Sequence, residues 1–157
     1  MPVARLKEML DGESVKYVSM SHSPAFTAQE IAASAHISGA ALAKTVVVKI
    51  DGKLALVVLP ATMMVDLDQL RVVTQAEKVE LAEESEFERL FPGCELGAMP
   101  PFGSLFEMKT WVDRSLSEQD EIAFNAGSHT EVIRLAYGDY ERLAQPELVE
   151  FSIATSA

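Results

Sequence analysis

The stretch Thr45-Val-Val-Val-Lys-Ile50, Asp51-Gly52, Lys53-Leu-Ala-Leu-Val-Val-Leu59-Pro60 decides the fold. Two runs rich in β-branched residues and leucine flank a dipeptide that favours the positive φ angles of a two-residue hairpin turn. Pro60 closes the second run, since it has no N–H to offer a ladder. Upstream, Val3, Leu6, Met9 and Leu10 fall at helical spacing and Gly12 follows, which predicts a helix over 3–11. Val15–Met20 alternates weakly and reads as a short strand. Thr27-Ala-Gln-Glu30 is a capping box that should open a helix to about Ala35, with a turn at Gly39.

Downstream, Thr74-Gln-Ala-Glu77 and Ser85-Glu-Phe-Glu88 have the same box pattern. They predict two short acidic helices, the second ending near Phe91-Pro-Gly93. A Gly- and Pro-rich loop over Gly97–Gly103 precedes candidate strands at Leu105–Met108, Thr110–Arg114, Glu121–Asn125 and Glu131–Ala136, and a short helix follows Asp139. Early helices, a central hairpin and late strands describe an α+β domain around a mixed, largely antiparallel sheet.

The 157 residues show no repeat, linker or low-complexity segment and are expected to form one domain over 1–157. A chain of this length buries about 70% of its unfolded surface. No apolar run approaches the roughly 20 residues of a membrane helix. The charged start, Met1-Pro-Val-Ala-Arg-Leu-Lys-Glu8, has no signal-peptide core, and the single Cys94 has no internal disulfide partner. A cytoplasmic setting without a membrane partner is therefore expected. The net charge is −11, and it is unevenly placed: residues 1–75 hold 7 acids and 7 Lys/Arg, whereas 76–157 hold 17 and 6. A protein gripping long DNA or RNA duplexes needs a broad basic face, so any nucleic-acid partner should be touched over a small area.

Three places have residues suited to chemistry. Lys44 stands at the mouth of an apolar strand, where its ammonium faces either solvent or a cleft; in a cleft it could hold a phosphate or polarise a carbonyl. Gly97-Ala-Met-Pro-Pro-Phe-Gly103 combines glycines that permit close backbone approach with a stiff Pro100-Pro101 path. It could present N–H groups to an oxyanion, or serve as a rigid connector with Phe102 in the core. Asn125-Ala-Gly127-Ser128-His129 places a hydroxyl and an imidazole at a turn between strands, either facing a cleft or as a plain surface turn. His22 precedes Ser23-Pro24, where the proline fixes the local path; His36 reads as structural or exposed. The sequence has no nucleophile elbow, phosphate-binding glycine loop, dinucleotide fingerprint or zinc-protease helix motif. The spacing of the three histidines and Cys94 does not support a metal site, and nothing beside Cys94 marks it as an activated thiol.

The order of His22-Ser-Pro, the Thr27 helix, Ala43-Lys44-Thr45-Val46, Gly97-x-x-x-Pro101-Phe102-Gly103 and Gly127-Ser128-His129 resembles the YbaK/ProX family. That family comprises stand-alone editing proteins and the insertion domain of bacterial prolyl-tRNA synthetases. The likeness spans about residues 15–145. It implies a mixed sheet curled into a partial barrel with surrounding helices, and hydrolysis of the ester joining a wrong amino acid to the 3′-terminal ribose of a tRNA, without metal or organic cofactor. It implies that Lys44 holds the substrate end and is not a covalent nucleophile. By the same resemblance, His22, Thr45, Gly97, Pro101, Phe102, Gly103, Gly127 and Ser128 line the pocket and His129 assists. Thr45 departs from the asparagine usual in the alanyl-specific branch, and His129 departs from many YbaK members. These departures point away from simple alanyl or cysteinyl specificity and toward a small amino acid such as alanine, serine or threonine.

The resulting expectation is a trans-editing deacylase that works by positioning. Lys44 supplies charge, backbone N–H groups of the glycine segments supply oxyanion donors, and His129 orients water or a ribose hydroxyl. Its partners would be the tRNA 3′ acceptor end with its amino acid and an aminoacyl-tRNA synthetase. The alternatives are a catalytically silent module of the same fold that binds aminoacyl ends or a synthetase, and a general small-ester hydrolase that ignores the nucleotide.

Overall fold

The central hairpin forms as its sequence requires. In the computed structural model, which describes residues 2–22 and 27–154, β2 (Leu42–Ile50) and β3 (Lys53–Pro60) pair antiparallel from Ala43↔Pro60 to Ile50↔Lys53. Asp51 and Gly52 take φ of 49° and 83° at the turn. The Asp51 carboxylate is held there by the N–H groups of Glu77 (3.0 Å) and Lys78 (2.9 Å), which offsets the strain of a left-handed non-glycine residue. Leu56, Val57, Val58 and Leu59 are all fully buried. β3 is thus covered on both faces, which accounts for its unbroken apolar run. Each such side chain contributes roughly 1.5–3 kcal/mol on burial.

Around the hairpin grows a sheet with the order β1-β8-β7-β2-β3-β6-β9, in which β5 also pairs with β2. The strands are β1 (Tyr17–Ser21), β5 (Val79–Leu81), β6 (Lys109–Asp113), β7 (Glu121–Asn125), β8 (Glu131–Ala136) and β9 (Glu147–Val149). Pairing is antiparallel for β1–β8, β7–β8, β2–β3 and β2–β5, and parallel for β2–β7, β3–β6 and β6–β9. A separate antiparallel ribbon joins β4 (Met63–Val65) to β10 (Ser152–Ala154). The fold is α+β on a mixed sheet with antiparallel pairs in the majority.

Strand alternation sorts the core to two sides. Ala43, Val58, Val112, Phe124, Ile133 and Leu135 pack with Leu6 and Leu10 of α1 (Pro2–Gly12) and with Tyr140 of α5 (Tyr137–Ala144). Val48, Val57 and Leu59 pack on the other side with Leu70 of α3 (Leu67–Thr74) and with Phe151. Asp113 fastens the far edge: its buried carboxylate accepts from the N–H groups of Ser115, Phe151 (2.9 Å) and Ser152 (3.0 Å) and from the Ser115 hydroxyl. Among the described residues no helix is long and apolar enough to cross a membrane.

The Thr27 capping box forms with both reciprocal bonds at 3.1 Å and opens α2 (Ala28–Ser34). Thr74 does not open a helix. It ends α3, its hydroxyl donating back to the Leu70 carbonyl at 2.7 Å, and Gln75 turns left-handed toward β5. Asp66 is the residue that caps α3, through the Gln69 N–H. Ser85 lies inside α4 (Glu84–Phe87), which is boxed two residues earlier by Glu83 and Glu86. Leu105–Met108 is not a strand. Residues Gly103–Phe106 form a 3-10 turn, closed by the Met108 N–H on the Gly103 carbonyl (2.9 Å), and β6 begins only at Lys109.

Candidate active site

The site grows from an interruption in the sheet. β3 borders β2 along one side, but the other side is shared. β7 pairs with Leu42 and Ala43, and β5 pairs with Val48, Lys49 and Ile50. Lys44, Thr45, Val46 and Val47 lie between, and among the described residues no strand pairs with them on this side; the Ala82 N–H reaches across, to the Val47 carbonyl at 3.1 Å. β7 leaves because the Ala126 N–H turns back to Glu131 (3.0 Å) and Gly127 takes φ of 99°. The turn at 127–129 therefore sits beside the open edge.

The Gly97 segment clips onto that turn. Glu95 N–H donates to the Gly127 carbonyl (2.9 Å), and Gly127 N–H donates to Ala98 (2.8 Å). His129 Nε2 lies 2.6 Å from the Leu96 carbonyl, an acceptor only, so Nε2 carries the proton and Nδ1 is left free to accept one when the ring is neutral. Gly97 has φ of +84°, and a Cβ there would come 3.4 Å from His129 Cε1. The two glycine motifs, 30 residues apart, thus form one unit. The Ser128 hydroxyl is committed to holding the turn, between Glu95 (3.1 Å), Thr130 Oγ1 (2.7 Å) and the Thr130 N–H (3.1 Å). His22 joins the same region through its N–H, which donates to Thr130 at 2.8 Å; Ser23 and Pro24, expected to set its path, lie outside the described residues.

Two cavities meet at the gap. One, of about 250 Å³, lies on the side of the glycine unit and is lined by Thr45, Val47, Phe87, Leu96, Gly97 and Met99, among others. The other, of about 380 Å³, lies on the opposite side and is lined by Lys44, Val46, Met64, Val65, Leu67 and Leu81. Val46 and Leu81 border both. Consecutive strand residues face opposite ways, so Lys44 and Thr45 serve different cavities. Lys44 does not share a cavity wall with Gly97. Its ammonium occupies the adjoining chamber, half-buried and without an ion pair among the described residues, and burial lowers its pKa. Met64, Leu81 and Leu96, all large and exposed, form an apolar rim around the two openings.

Several expected pocket residues lie deeper. Phe102 is fully buried between Phe124 and Tyr140, so its side chain packs the core and has no face toward a cavity. The Pro101 carbonyl accepts from buried Tyr140 OH at 2.8 Å. Gly103 is required by packing, since a Cβ would come 2.2 Å from the Met108 carbonyl oxygen and 2.4 Å from Thr110 Oγ1. Within this loop the Gly103 N–H is used by Thr110 (2.9 Å) and the Phe102 N–H by Pro100 (2.8 Å). The N–H groups of Gly97 and Met99, which border the Thr45 cavity, have no protein partner among the described residues. The Cys94 thiol is pushed up to about 11 by burial and stays protonated at neutral pH.

Two polar atoms stand out, Thr45 Oγ1 and Asn125 Oδ1, both buried and without a partner among the described residues. The resemblance already puts Thr45 in the pocket; Asn125 is the residue that sequence reasoning missed. Continuing the β2–β7 register by one step sets Asn125 level with Lys44, on the same face of the sheet. An asparagine ending a strand before a glycine turn reads as turn chemistry, which hid this placement.

A family model described as the aminoacyl-tRNA editing domain matches residues 22–143. Over 155 residues the chain is 36% identical to the multifunctional Ser/Thr-tRNA deacylase ProXp-y of Escherichia coli (strain K12), covering 94% of this chain and 90% of that protein. The protein of the same description from Escherichia coli O157:H7 is equally similar. Among solved structures, the crystal structure of a proposed trans-editing enzyme for prolyl tRNA synthetase matches with a TM-score of 0.81, covering 98% of this chain and 99% of that one. At 18% identity that likeness concerns the fold.

Proposed function

Because this chain belongs to the aminoacyl-tRNA editing domain family, we propose that the open edge of β2 hydrolyses the ester between a small amino acid, serine or threonine above all, and the 3′-terminal ribose of a tRNA. The chain is an aminoacyl-tRNA deacylase, a hydrolase acting on mischarged tRNA. The substrate preference follows the relative whose substrates are seryl and threonyl tRNAs. One observation carries the placement of the site: the sheet opens at Lys44–Val47 where the two glycine motifs converge.

An aminoacyl ester is already activated, so hydrolysis needs orientation, charge and water. Water adds to the ester carbonyl to give a tetrahedral oxyanion. Collapse then breaks the bond to the ribose oxygen, which takes a proton, releasing the amino acid and free tRNA. The unpartnered N–H groups of Gly97 and Met99 are the oxyanion donors in this reading; the Gly127 N–H, already bonded to Ala98, is not. Lys44 in the adjoining chamber holds the terminal phosphate or the ester region, with no carboxylate among the described residues to compete. His129, tied through Nε2, offers Nδ1 to the water or the ribose hydroxyl, a contribution typically worth ~10²–10⁴-fold. An acidic surface over residues 76–157 restricts contact to the acceptor end, and delivery by a synthetase in the cytoplasm fits that restriction.

A deacylation screen across mischarged tRNAs tests the reading, with Lys44→Ala and His129→Ala beside the wild type. Turnover of seryl or threonyl tRNA that Lys44→Ala abolishes and His129→Ala slows is the expected result. Tight binding of every aminoacyl tRNA without turnover would instead mark a silent module. Equal cleavage of aminoacyl esters lacking the nucleotide would mark a general esterase.

A further inference from the structure

Thr45 is 7% exposed, yet its hydroxyl has no partner among the described residues. A buried, unpartnered hydroxyl is destabilising, so the position calls for a physical reason. Valine has nearly the same shape without that penalty, and the three residues that follow, Val46, Val47 and Val48, are valines. Thr45 lines the smaller cavity together with Gly97, and of the three β2 residues there, Thr45, Val46 and Val47, it is the one that carries a hydroxyl. Val47, Phe87 and Met99 make much of the remaining wall apolar. The Thr45 Oγ1 itself is closed off from water, and a turn about χ1 brings it to the cavity side, where an entering β-hydroxyl meets a group that can both donate and accept. An apolar side chain of equal size leaves Thr45 as it is in the empty protein.

We propose that Thr45 is the specificity-determining residue of this deacylase, its hydroxyl pairing with the β-hydroxyl of serine or threonine in the cavity beside Gly97. The assignment rests on the deacylase reading above and adds the group that selects the amino acid. A site built to hydrogen-bond a substrate hydroxyl discriminates strongly against the analogue lacking it, whereas size alone separates substrates weakly. Threonine against valine is the sharpest comparison, because the two side chains differ only by hydroxyl for methyl.

The experiment measures kcat/KM for tRNAs charged with threonine, valine, serine and alanine, using wild type, Thr45→Val and Thr45→Ser. Wild type is expected to favour threonine over valine, and serine over alanine, by about 10-fold or more. Thr45→Val should fold with equal or higher stability and lose about 10-fold on the two hydroxyl-bearing esters relative to the other two. Thr45→Ser should retain the preference. A uniform loss on all four esters with Thr45→Val, or no change on any, overturns the assignment while leaving the deacylase intact. A wild type that cleaves none of the four removes the deacylase reading and this inference with it.

Discussion

Replacing Lys44 with methionine keeps the length of the side chain and removes only its charge. At about 4 Å from a phosphate, a unit charge is worth ~1 kcal/mol in bulk water and ~4 kcal/mol at the effective dielectric of a protein surface. Lys44 is half-buried in its chamber and has no carboxylate to neutralise it among the described residues, so the upper figure is the closer guide. Loss of ~4 kcal/mol corresponds to a fall of about 10³ in kcat/KM. Stability should move the other way. Burial lowers the Lys44 pKa below its ordinary 10.5, so the folded chain holds this proton less tightly than the unfolded one. The charged lysine therefore weakens the fold at neutral pH, and the penalty fades as pH rises toward 10.5. Lys44→Met should consequently melt at the same temperature as wild type or higher. Single-turnover deacylation of a preformed mischarged tRNA, with a thermal scan of the same preparation, reads both quantities. Activity within a few-fold of wild type, or a melting point lowered by several degrees, refutes the reasoning. The first result denies the charge its role, and the second makes the lysine a structural residue.

Gly97→Ala should lower stability by roughly 1–2 kcal/mol, the cost of holding a side chain at left-handed φ. Scanning calorimetry should show a drop of about 2–8 °C, while Gly12→Ala, where a Cβ meets nothing within 4 Å, stays near wild type. Gly103→Ala should be far worse, about 3 kcal/mol or more, because the new Cβ would overlap the Met108 carbonyl and Thr110 Oγ1; a soluble variant with an unchanged melting point contradicts the packing described. Burial pushes Asp113 up, but the bonds from Ser115, Phe151 and Ser152 outweigh it and hold the carboxyl below its ordinary 3.8. Its contribution is thus complete above 3.8 and lost as pH falls below that value, so urea midpoints from pH 7 to pH 3 should fall more steeply for wild type than for Asp113→Asn.

What could be read from the sequence was local. The hairpin was legible because Asp51-Gly52 specifies its own turn, and β7 and β8 because five or six residues suffice for a strand signal. β4, β5, β9 and β10, at three residues each, exist only because a neighbour pairs with them. Thr74-Gln-Ala-Glu77 has the letters of a capping box, but the helix before it, started by Asp66, consumes Thr74 as its last residue. The Gly97–Gly103 loop was legible as a special loop, though not as two parts with different tasks. Its first glycine meets His129 beside a cavity, whereas its last glycine and Phe102 fill the core.

The site itself depends on a non-local fact, the residue at which β7 leaves β2. An unpaired strand edge invites pairing with other chains, and proteins usually cover it. Here β7 covers one end of β2 and β5 the other, so four residues remain open, too few to template a strand. In the reading proposed above, a single ligand reaches both faces of this strand. Lys44 offers charge to one side, and Thr45 offers a hydroxyl to the other. On that reading the scissile ester passes between the cavities at Val46, which borders both. Adjacent residues on a strand can divide a substrate in this way only where the sheet is interrupted. In an unbroken sheet the neighbouring strand would separate phosphate from amino acid.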